Sequence, residues 1–186
     1  MNSSSTLLSI FILTSSWSVA QDTATDSSIF GKPHPDAPNE IRDYQQLIGT
    51  CNCQSYSRNP DKSWAEPVDM TWTFKYIMDG MAVQDETIKE DGKHSGSIRQ
   101  FHPDSARWYV HYYSSAAPTA SLATWEGGME NDEIILYRPQ KAPNGMDGFY
   151  KIRFHDINDS GFKWVGAWVS PDERFVYETW KIDCKR

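Results

Sequence analysis

The chain has 186 residues, a formal net charge of −7 at pH 7 and 13% aromatic residues, including eight Trp. A chain of this length can form one domain with a sizeable hydrophobic core. Nucleic acids and anionic membrane surfaces attract clustered Lys and Arg, so the acidic balance excludes both as electrostatic partners.

The first 20 residues have the pattern of a signal peptide. They contain no charged side chain, and an apolar run from Leu7 to Leu13 is followed by polar residues. Ser18 and Ala20 place small residues at the positions that a signal peptidase reads, which predicts cleavage after Ala20. The apolar run is much shorter than the roughly 20 residues of a membrane-spanning helix. The sequence therefore predicts a secreted or periplasmic protein without a membrane anchor.

Residues 21–38 are predicted to be a mobile leader, because they are rich in Thr, Ser, Asp, Gly and Pro and carry little apolar surface. Asn39 can then cap a short helix in which apolar side chains recur at helical spacing. These side chains are Ile41, Tyr44, Leu47 and Ile48. Such a helix would close one end of a barrel built by the strands that follow it.

From Gly49 onward, apolar and polar side chains alternate with a period of two, in short segments separated by turn residues. This pattern predicts about ten strands and no further helix of useful length. The expected spans are Gly49–Ser57, Met70–Met78, Met81–Lys89, Ser95–Phe101, Arg107–Ser114, Ser121–Glu126, Glu133–Arg138, Gly148–Asp156, Phe162–Ser170 and Phe175–Cys184.

The short connections make consecutive strands antiparallel neighbours. An open meander of this length would expose two long edges, and closure removes both of them. A two-sheet sandwich is the alternative, but it usually needs longer crossovers than these links. Residues 39–186 are therefore predicted to form one all-β domain, a closed antiparallel up-and-down barrel with a short N-terminal helix.

Five short motifs in residues 39–186 resemble a known family. They are Leu47-Ile48-Gly49-Thr50, Met78-Asp79-Gly80, Phe101-His102-Pro103-Asp104 before Arg107-Trp108, Trp125-Glu126-Gly127-Gly128, and Phe162-Lys163-Trp164 before Ser170-Pro171-Asp172. In this order they are similar to the secreted lipocalin-like domains of unknown function in the calycin group. Members often carry Gly-x-Trp at the first strand, where this chain has Cys51. The resemblance implies a barrel with a cavity and assigns no activity.

Three cysteines, Cys51, Cys53 and Cys184, would lie in an oxidising compartment, where neighbouring thiols usually pair. If the first and last strands meet antiparallel, the start of one faces the end of the other. Cys184 should then approach Cys51 more closely than Cys53, although a register shift of two residues reverses the choice. We expect a Cys51–Cys184 disulfide and one buried free thiol.

Two predicted strands each carry large aromatic side chains on one of their two faces. These side chains are Trp72, Phe74 and Tyr76 on the first strand, and Trp164 and Trp168 on the second. Gly166, between the last two, should leave room beside the indoles. We expect these rings to point inward and line a cavity for one small apolar or amphipathic molecule. The alternative is that they fill a solid core.

Polar side chains within predicted strands would need a partner or a ligand if they pointed inward, because a buried unpaired charge is costly. They are Arg99, His111, Glu126, Arg153 and His155. Alternation with the apolar residues of their strand sends Arg153 and His155 to solvent. The other three remain candidate ligand-binding residues, and an isomerase or hydrolase on the same barrel would use them.

The sequence carries no motif for a metal, a cofactor or a nucleophile. It has no His-Glu-x-x-His and no Gly-x-Ser-x-Gly, and Cys51-x-Cys53 has the wrong spacing for a zinc knuckle. The glycine-rich first strand of haem-binding barrels is missing as well. We expect no cofactor, and three functions stay open: a ligand-binding barrel, an enzyme on that barrel, and a solid-core domain that acts through its surface.

Overall fold

The computed structural model describes residues 29–186, so the predicted signal peptide and residues 21–28 of the leader lie outside the described residues. Within the described part, no helix has the length and hydropathy needed to span a membrane. The strands are β1 (Gly49–Ser57), β2 (Val68–Ile77), β3 (Ala82–Lys89), β4 (Ser95–His102), β5 (Arg107–Ser114), β6 (Ala123–Glu130), β7 (Glu133–Pro139), β8 (Phe149–Asn158), β9 (Gly161–Val169) and β10 (Val176–Lys185).

These ten strands form one closed sheet in which each strand pairs antiparallel with its neighbours in sequence, and β10 pairs with β1. The predicted closed up-and-down barrel is confirmed. Closure follows because hairpin connections leave only the first and last strands with free edges, and pairing them satisfies both.

The strands β1 and β5 have the predicted bounds. The largest difference is in β6, which was expected to end at Glu126 and continues to Glu130. Gly127 and Gly128 pair with Leu136 and Ile135 of β7. A side chain at Gly127 would collide with the carbonyl group of Ile135, so the glycine permits a close backbone approach instead of marking a turn.

A 3₁₀ helix, Asn39–Leu47, precedes β1 and is called the plug helix below. Its inner face consists of Ile41, Tyr44 and Leu47, which are buried as the helical spacing predicts. The expected cap by Asn39 is wrong. Pro38 occupies the capping position with extended backbone, no side chain caps the helix, and the Ile41 amide donates to the Pro38 carbonyl oxygen at 3.0 Å.

The plug helix closes the barrel end at which β5 begins and β8 ends. The ring centroid of Tyr44 lies 4.8 Å from that of Trp108 and 6.4 Å from that of Phe154, both in edge-to-face contact. The indole Nε1 of Trp108 donates to Oδ2 of Asp43 at 2.9 Å. These contacts fill that end of the interior with aromatic rings.

The position of Asp43 predicts a pH effect on stability. Burial raises the pKa of its carboxyl group from 3.8, the Trp108 hydrogen bond opposes this, and Glu40 adds to it. A carboxyl whose pKa is raised on folding gives its full stabilisation below its unfolded pKa and loses it as the pH rises through the folded value. Asp43→Asn should therefore raise the urea midpoint at pH 7 and leave it nearly unchanged at pH 3.

The comparison of urea midpoints at these two pH values tests this, with Asp104→Asn as the control because Asp104 is exposed. A lower midpoint for Asp43→Asn at pH 7 would mean that the ionised carboxylate stabilises the plug helix, contrary to our expectation.

Residues 29–38, the described part of the predicted leader, contact the β2–β3 hairpin. The Tyr76 amide donates to the Phe30 carbonyl oxygen at 2.8 Å, and the His34 amide donates to that of Gly80 at 3.3 Å. Ala37 is buried. Composition does not predict these contacts because most of them are backbone hydrogen bonds, which do not depend on side-chain type.

The disulfide joins Cys53 to Cys184, whose Cα atoms are 4.1 Å apart. The expected Cys51–Cys184 pairing is wrong, and Cys51 is the buried free thiol. The reason is the register: Cys53 lies directly opposite Cys184, and Asn52 already pairs with Lys185, where β10 ends. The strands of a closed barrel are staggered, so the start of β1 extends past the end of β10.

Candidate functional site

A cavity of about 330 Å³ lies inside the barrel, on the side away from the plug helix. Thr87 and Ser95, where β3 ends and β4 begins, lie at its mouth, with Arg138 and Gln140 at the end of β7. Its aromatic lining consists of Trp72, Tyr112, Trp125, Tyr150, Phe154, Trp164 and Trp180. The volume is at the lower end of the range of small-molecule sites.

The five aromatic residues predicted to line the cavity are all buried, but they lie at different depths. Trp72 and Trp164 line it, with ring centroids 6.4 Å apart. Phe74 and Tyr76 also lie on the inner face of β2, nearer to the plug helix and outside the cavity lining. Trp168 lies outside the lining too: its Nε1 donates to the Gln140 carbonyl oxygen at 2.9 Å.

The space expected beside Gly166 is filled. A side chain at this position would collide with the Trp164 indole and the Tyr150 hydroxyl group, which lie over the glycine. Burial raises the pKa of Tyr150, so its hydroxyl is neutral at pH 7. This hydroxyl lies 2.9 Å from Oγ1 of Thr179, which itself donates to the Gly166 carbonyl oxygen at 3.2 Å. Gly166 thus lets the lining residues Trp164 and Tyr150 pack over its backbone, and it adds no volume to the cavity.

Of the three polar candidates, only Arg99 lines the cavity. His111 lies between the inward Val110 and Tyr112 and therefore points outward, with Nδ1 at 3.0 Å from Oγ1 of Thr124. Glu126 follows the inward Trp125 and pairs at 3.2 Å with Arg107 on the outer surface. The expectation that His111 and Glu126 belong to the cavity is therefore corrected, because side chains alternate between the two faces of a strand.

The alternation in β8 predicts outward positions for Arg153 and His155, and the structure places both outside. Tyr150, Ile152 and Phe154 line the cavity from the same strand. Arg153 lies 3.7 Å from Glu133, and Nδ1 of His155 lies 3.5 Å from Asp156.

The floor of the cavity carries a buried polar cluster centred on Asp85. Trp72 Nε1 donates to its Oδ2 at 2.8 Å, and Arg99 Nη1 donates to its Oδ1 at 2.8 Å. Ser97 Oγ donates to the same Oδ1, and accepts from Arg99 Nη1 at 2.7 Å. The carboxylate is thus held by three donors from the two strands that flank β3, Trp72 from β2 and Ser97 and Arg99 from β4.

Arg99 is also surrounded by aromatic rings. Its Cζ lies 5.0 Å from the ring centroid of Tyr44, 5.2 Å from that of Phe74 and 5.5 Å from that of Phe154. These rings stabilise the buried guanidinium through cation–π interactions. Arg99 therefore joins the plug helix and the aromatic end of the barrel to the cavity.

The lining also contains Asp85, Ser97, Trp125 and Arg138, which were not predicted as site residues. Period-two alternation would have identified two of them. Asp85 lies on the same face of β3 as the buried Val83 and Thr87, and Ser97 lies on the same face of β4 as the buried Ser95 and Arg99. Placing Arg99 inward would have placed Ser97 inward with it. The partner of Arg99 follows from the pairing of β3 with β4, in which Asp85 lies opposite Ser97.

Two buried donors of the lining have no hydrogen-bond partner among residues 29–186: Nε of Arg99 and Nε1 of Trp125. At the mouth, the guanidinium of Arg138 lies 4.5 Å from the ring centroid of Trp125, and its Nη2 donates to Oε1 of Gln140 at 2.6 Å. The lining thus combines a large apolar surface with a few directed polar groups, as small-molecule sites commonly do.

Comparison with known proteins gives no family: no protein-family model matches the chain, and no curated protein matches it either. Within residues 29–186, no three His, Cys, Asp or Glu side chains are grouped so that they could hold a metal ion. The cavity is therefore the feature from which a function can be inferred.

Proposed function

We propose that the protein binds one small, largely apolar molecule inside its barrel. The observation that carries this proposal is the aromatic cavity of about 330 Å³, closed on one side by the plug helix. A packed barrel would have no such space, so the cavity favours ligand binding over a solid core. Because His111 and Glu126 lie outside the lining, the enzyme alternative loses two of its three candidate residues.

The size of the cavity indicates the size of the ligand. A protein cavity of about 150 Å³ holds a benzene molecule, so this one suits a molecule of about two fused rings. Such a molecule has about a dozen heavy atoms, each contributing roughly 0.3–1.5 kcal/mol at best, which makes micromolar affinity attainable. The driving force is the removal of apolar surface from water.

We propose further that the protein is an exported, lipocalin-like carrier or sensor. The Cys53–Cys184 disulfide supports this location, because disulfides persist in oxidising compartments. The signal-peptide pattern of residues 1–20 supports it as well. Amino-terminal sequencing of the protein recovered from its source tests the export. A chain that still begins at Met1 in the cytoplasm would contradict it.

A matched pair of tryptophan substitutions tests the binding proposal. Trp164 and Trp168 are both buried on the inner face of β9, but only Trp164 lines the cavity. With 2-ethylnaphthalene as the probe, we expect micromolar binding by the unsubstituted protein in isothermal titration calorimetry. Trp164→Ala should weaken it about tenfold or more because the ring contact is lost, whereas Trp168→Ala should leave it within about twofold.

Both variants lose a buried indole and should lose comparable stability, so thermal unfolding of each controls for general damage. Equal loss of affinity in the two variants, or no binding by the unsubstituted protein in titrations at two temperatures, would contradict the proposal. Native mass spectrometry of the protein purified from its source would then look for a co-purified molecule of another size.

A further inference from the structure

Two residues of the cavity lining carry buried hydrogen-bond donors that nothing in the described chain satisfies. Arg99 is 3% exposed and Trp125 is 7% exposed, and Nε of the first and Nε1 of the second have no partner. An indole N–H and a guanidinium N–H donate only and accept nothing. A buried donor without a partner is costly, so a molecule in the cavity gains affinity by supplying acceptors.

Most other polar groups of the lining already have hydrogen-bond partners. Both oxygens of Asp85 accept hydrogen bonds, as described above. The remaining pairs are Thr87 with Ser95 at 2.8 Å, Trp180 Nε1 with Ser55 Oγ at 2.8 Å, and Tyr150 with Thr179 at 2.9 Å. The buried polar atoms of the lining that lack a partner are therefore both donors, and they require acceptors.

The charges of the lining point the same way. The single carboxylate among the lining residues, Asp85, is paired with Arg99 at 2.8 Å. Arg138 at the mouth hydrogen-bonds to the neutral Gln140 and has no acidic partner among the described residues. The lining therefore has a surplus of one positive charge. An ammonium ligand is disfavoured by this surplus, and a carboxylate is favoured.

We propose that the ligand is a flat aromatic molecule of about two rings that bears oxygen acceptors, namely a carboxylate or a ketone. This inference rests on the proposed function. The aromatic body lies against Trp72 and Trp164, and an acceptor oxygen takes a hydrogen bond from Trp125 Nε1 or from Arg99 Nε. Recognition comes from the donors, because the apolar walls alone accept any molecule of suitable size.

Three probes with the same two-ring body test the inference: 2-ethylnaphthalene, 2-acetylnaphthalene and 2-naphthoate. We expect the two oxygen-bearing probes to bind the purified protein about tenfold more tightly than 2-ethylnaphthalene in calorimetric titration. Equal affinity for all three would overturn this inference and leave the proposed function standing. Failure of all three to bind would overturn the proposed function as well.

A substitution then assigns the effect to the Trp125 donor. Trp125→Phe keeps a ring and removes Nε1, so it should reduce the preference for 2-acetylnaphthalene over 2-ethylnaphthalene at least threefold. Trp180→Phe is the matched control, because it removes a lining indole whose Nε1 is already bonded to Ser55. It should change the affinities for the two probes alike. An unchanged preference in Trp125→Phe would overturn the role of this donor.

Comparing the affinities of 2-naphthoate and 2-acetylnaphthalene separates the effect of ligand charge from that of hydrogen bonding. If 2-naphthoate binds more tightly than 2-acetylnaphthalene, the positive mouth accounts for the difference, and Arg138→Gln should remove it without affecting 2-acetylnaphthalene. If 2-acetylnaphthalene binds at least as tightly, the ligand class narrows to ketones. A preference for 2-naphthylmethylammonium over every other probe would overturn the inference.

Discussion

Replacing Asp85 with Asn should lower the free energy of unfolding by about 3–5 kcal/mol, because it leaves the Arg99 guanidinium buried without a counter-charge. The side chains of Arg99 and Asp85 are 4% and 5% exposed, so water cannot take over the lost interaction. Asn keeps one acceptor oxygen, so it can accept either from Trp72 or from Arg99 and Ser97, but not from both sides. The loss therefore reports on the charge together with the hydrogen bonds of one carboxylate oxygen.

The reciprocal substitution, Arg99→Met, should be similarly costly, since it leaves a buried carboxylate. The free energy of unfolding of the double variant should fall by clearly less than the sum of the two single losses. The second substitution removes the buried charge that the first one left unpaired. Urea unfolding at pH 7, with the free energies compared at a constant m value, measures all three variants.

The chain provides a control of the same chemistry. Arg107 and Glu126 also form an Arg–carboxylate pair between neighbouring strands, but their side chains are 53% and 46% exposed. Glu126→Gln should change the free energy of unfolding by less than about 1 kcal/mol, because solvent screens an exposed pair. An Asp85→Asn variant no less stable than Glu126→Gln would show that the buried pair does not stabilise the barrel.

Removing the Cys53–Cys184 disulfide should lower the free energy of unfolding by about 2–5 kcal/mol. The two cysteines are 131 residues apart, and the bond joins the first and last strands of the barrel. A cross-link over so long a loop strongly restricts the unfolded chain, and the chain-entropy model puts the effect near 4–5 kcal/mol. The variant with both Cys53→Ala and Cys184→Ala should unfold at a correspondingly lower urea concentration.

Cys51→Ala is the matched control, because Cys51 is equally buried in β1 but is a free thiol. Cys51→Ala should lower the free energy of unfolding by about 1 kcal/mol, because it removes a small buried group. A reducing agent should shift the midpoint of the unsubstituted protein and leave the double variant unchanged. Peptide mapping without reduction should recover Cys53 linked to Cys184, and a Cys51–Cys184 peptide would contradict the pairing.

The arrangement of the interior has a consequence for how a ligand enters. The plug helix and the rings around Phe74, Trp108 and Phe154 fill one side of the interior, and the cavity lies on the other side. If the protein binds a ligand as proposed, the ligand would enter past the ends of β3 and β7, where Thr87 and Arg138 lie. A ligand would meet the positive mouth first, which suits the acceptor-bearing molecules that the donors favour.

Much of the fold was predictable from the sequence, because the formation of a strand and the face on which each side chain lies depend on neighbouring residues in the sequence. Period-two alternation identified ten strands, and in β2 it assigned Trp72, Phe74 and Tyr76 to the inner face. Hairpin-length links then required antiparallel neighbours, and the cost of free edges required closure. The helical spacing of Ile41, Tyr44 and Leu47 likewise identified the buried face of the plug helix.

Depth along the barrel axis could not be predicted, because it depends on how each strand is staggered against its neighbours. Alternation alone treats Trp72, Phe74 and Tyr76 as equivalent, although only Trp72 reaches the cavity. The same stagger decided that Cys53 and not Cys51 meets Cys184. It also placed Asp85 beside Arg99, a contact between two strands that neither strand's pattern contains.

The sequence by itself therefore determined the closed barrel, and the buried side of strands with regular alternation such as β2 and β8, since these follow from local alternation and short links. Only the tertiary structure decided which buried side chains meet. That depends on the register of the closed sheet, a property of all ten strands together: a shift of two residues in one pair keeps every side chain on its face and changes every partner.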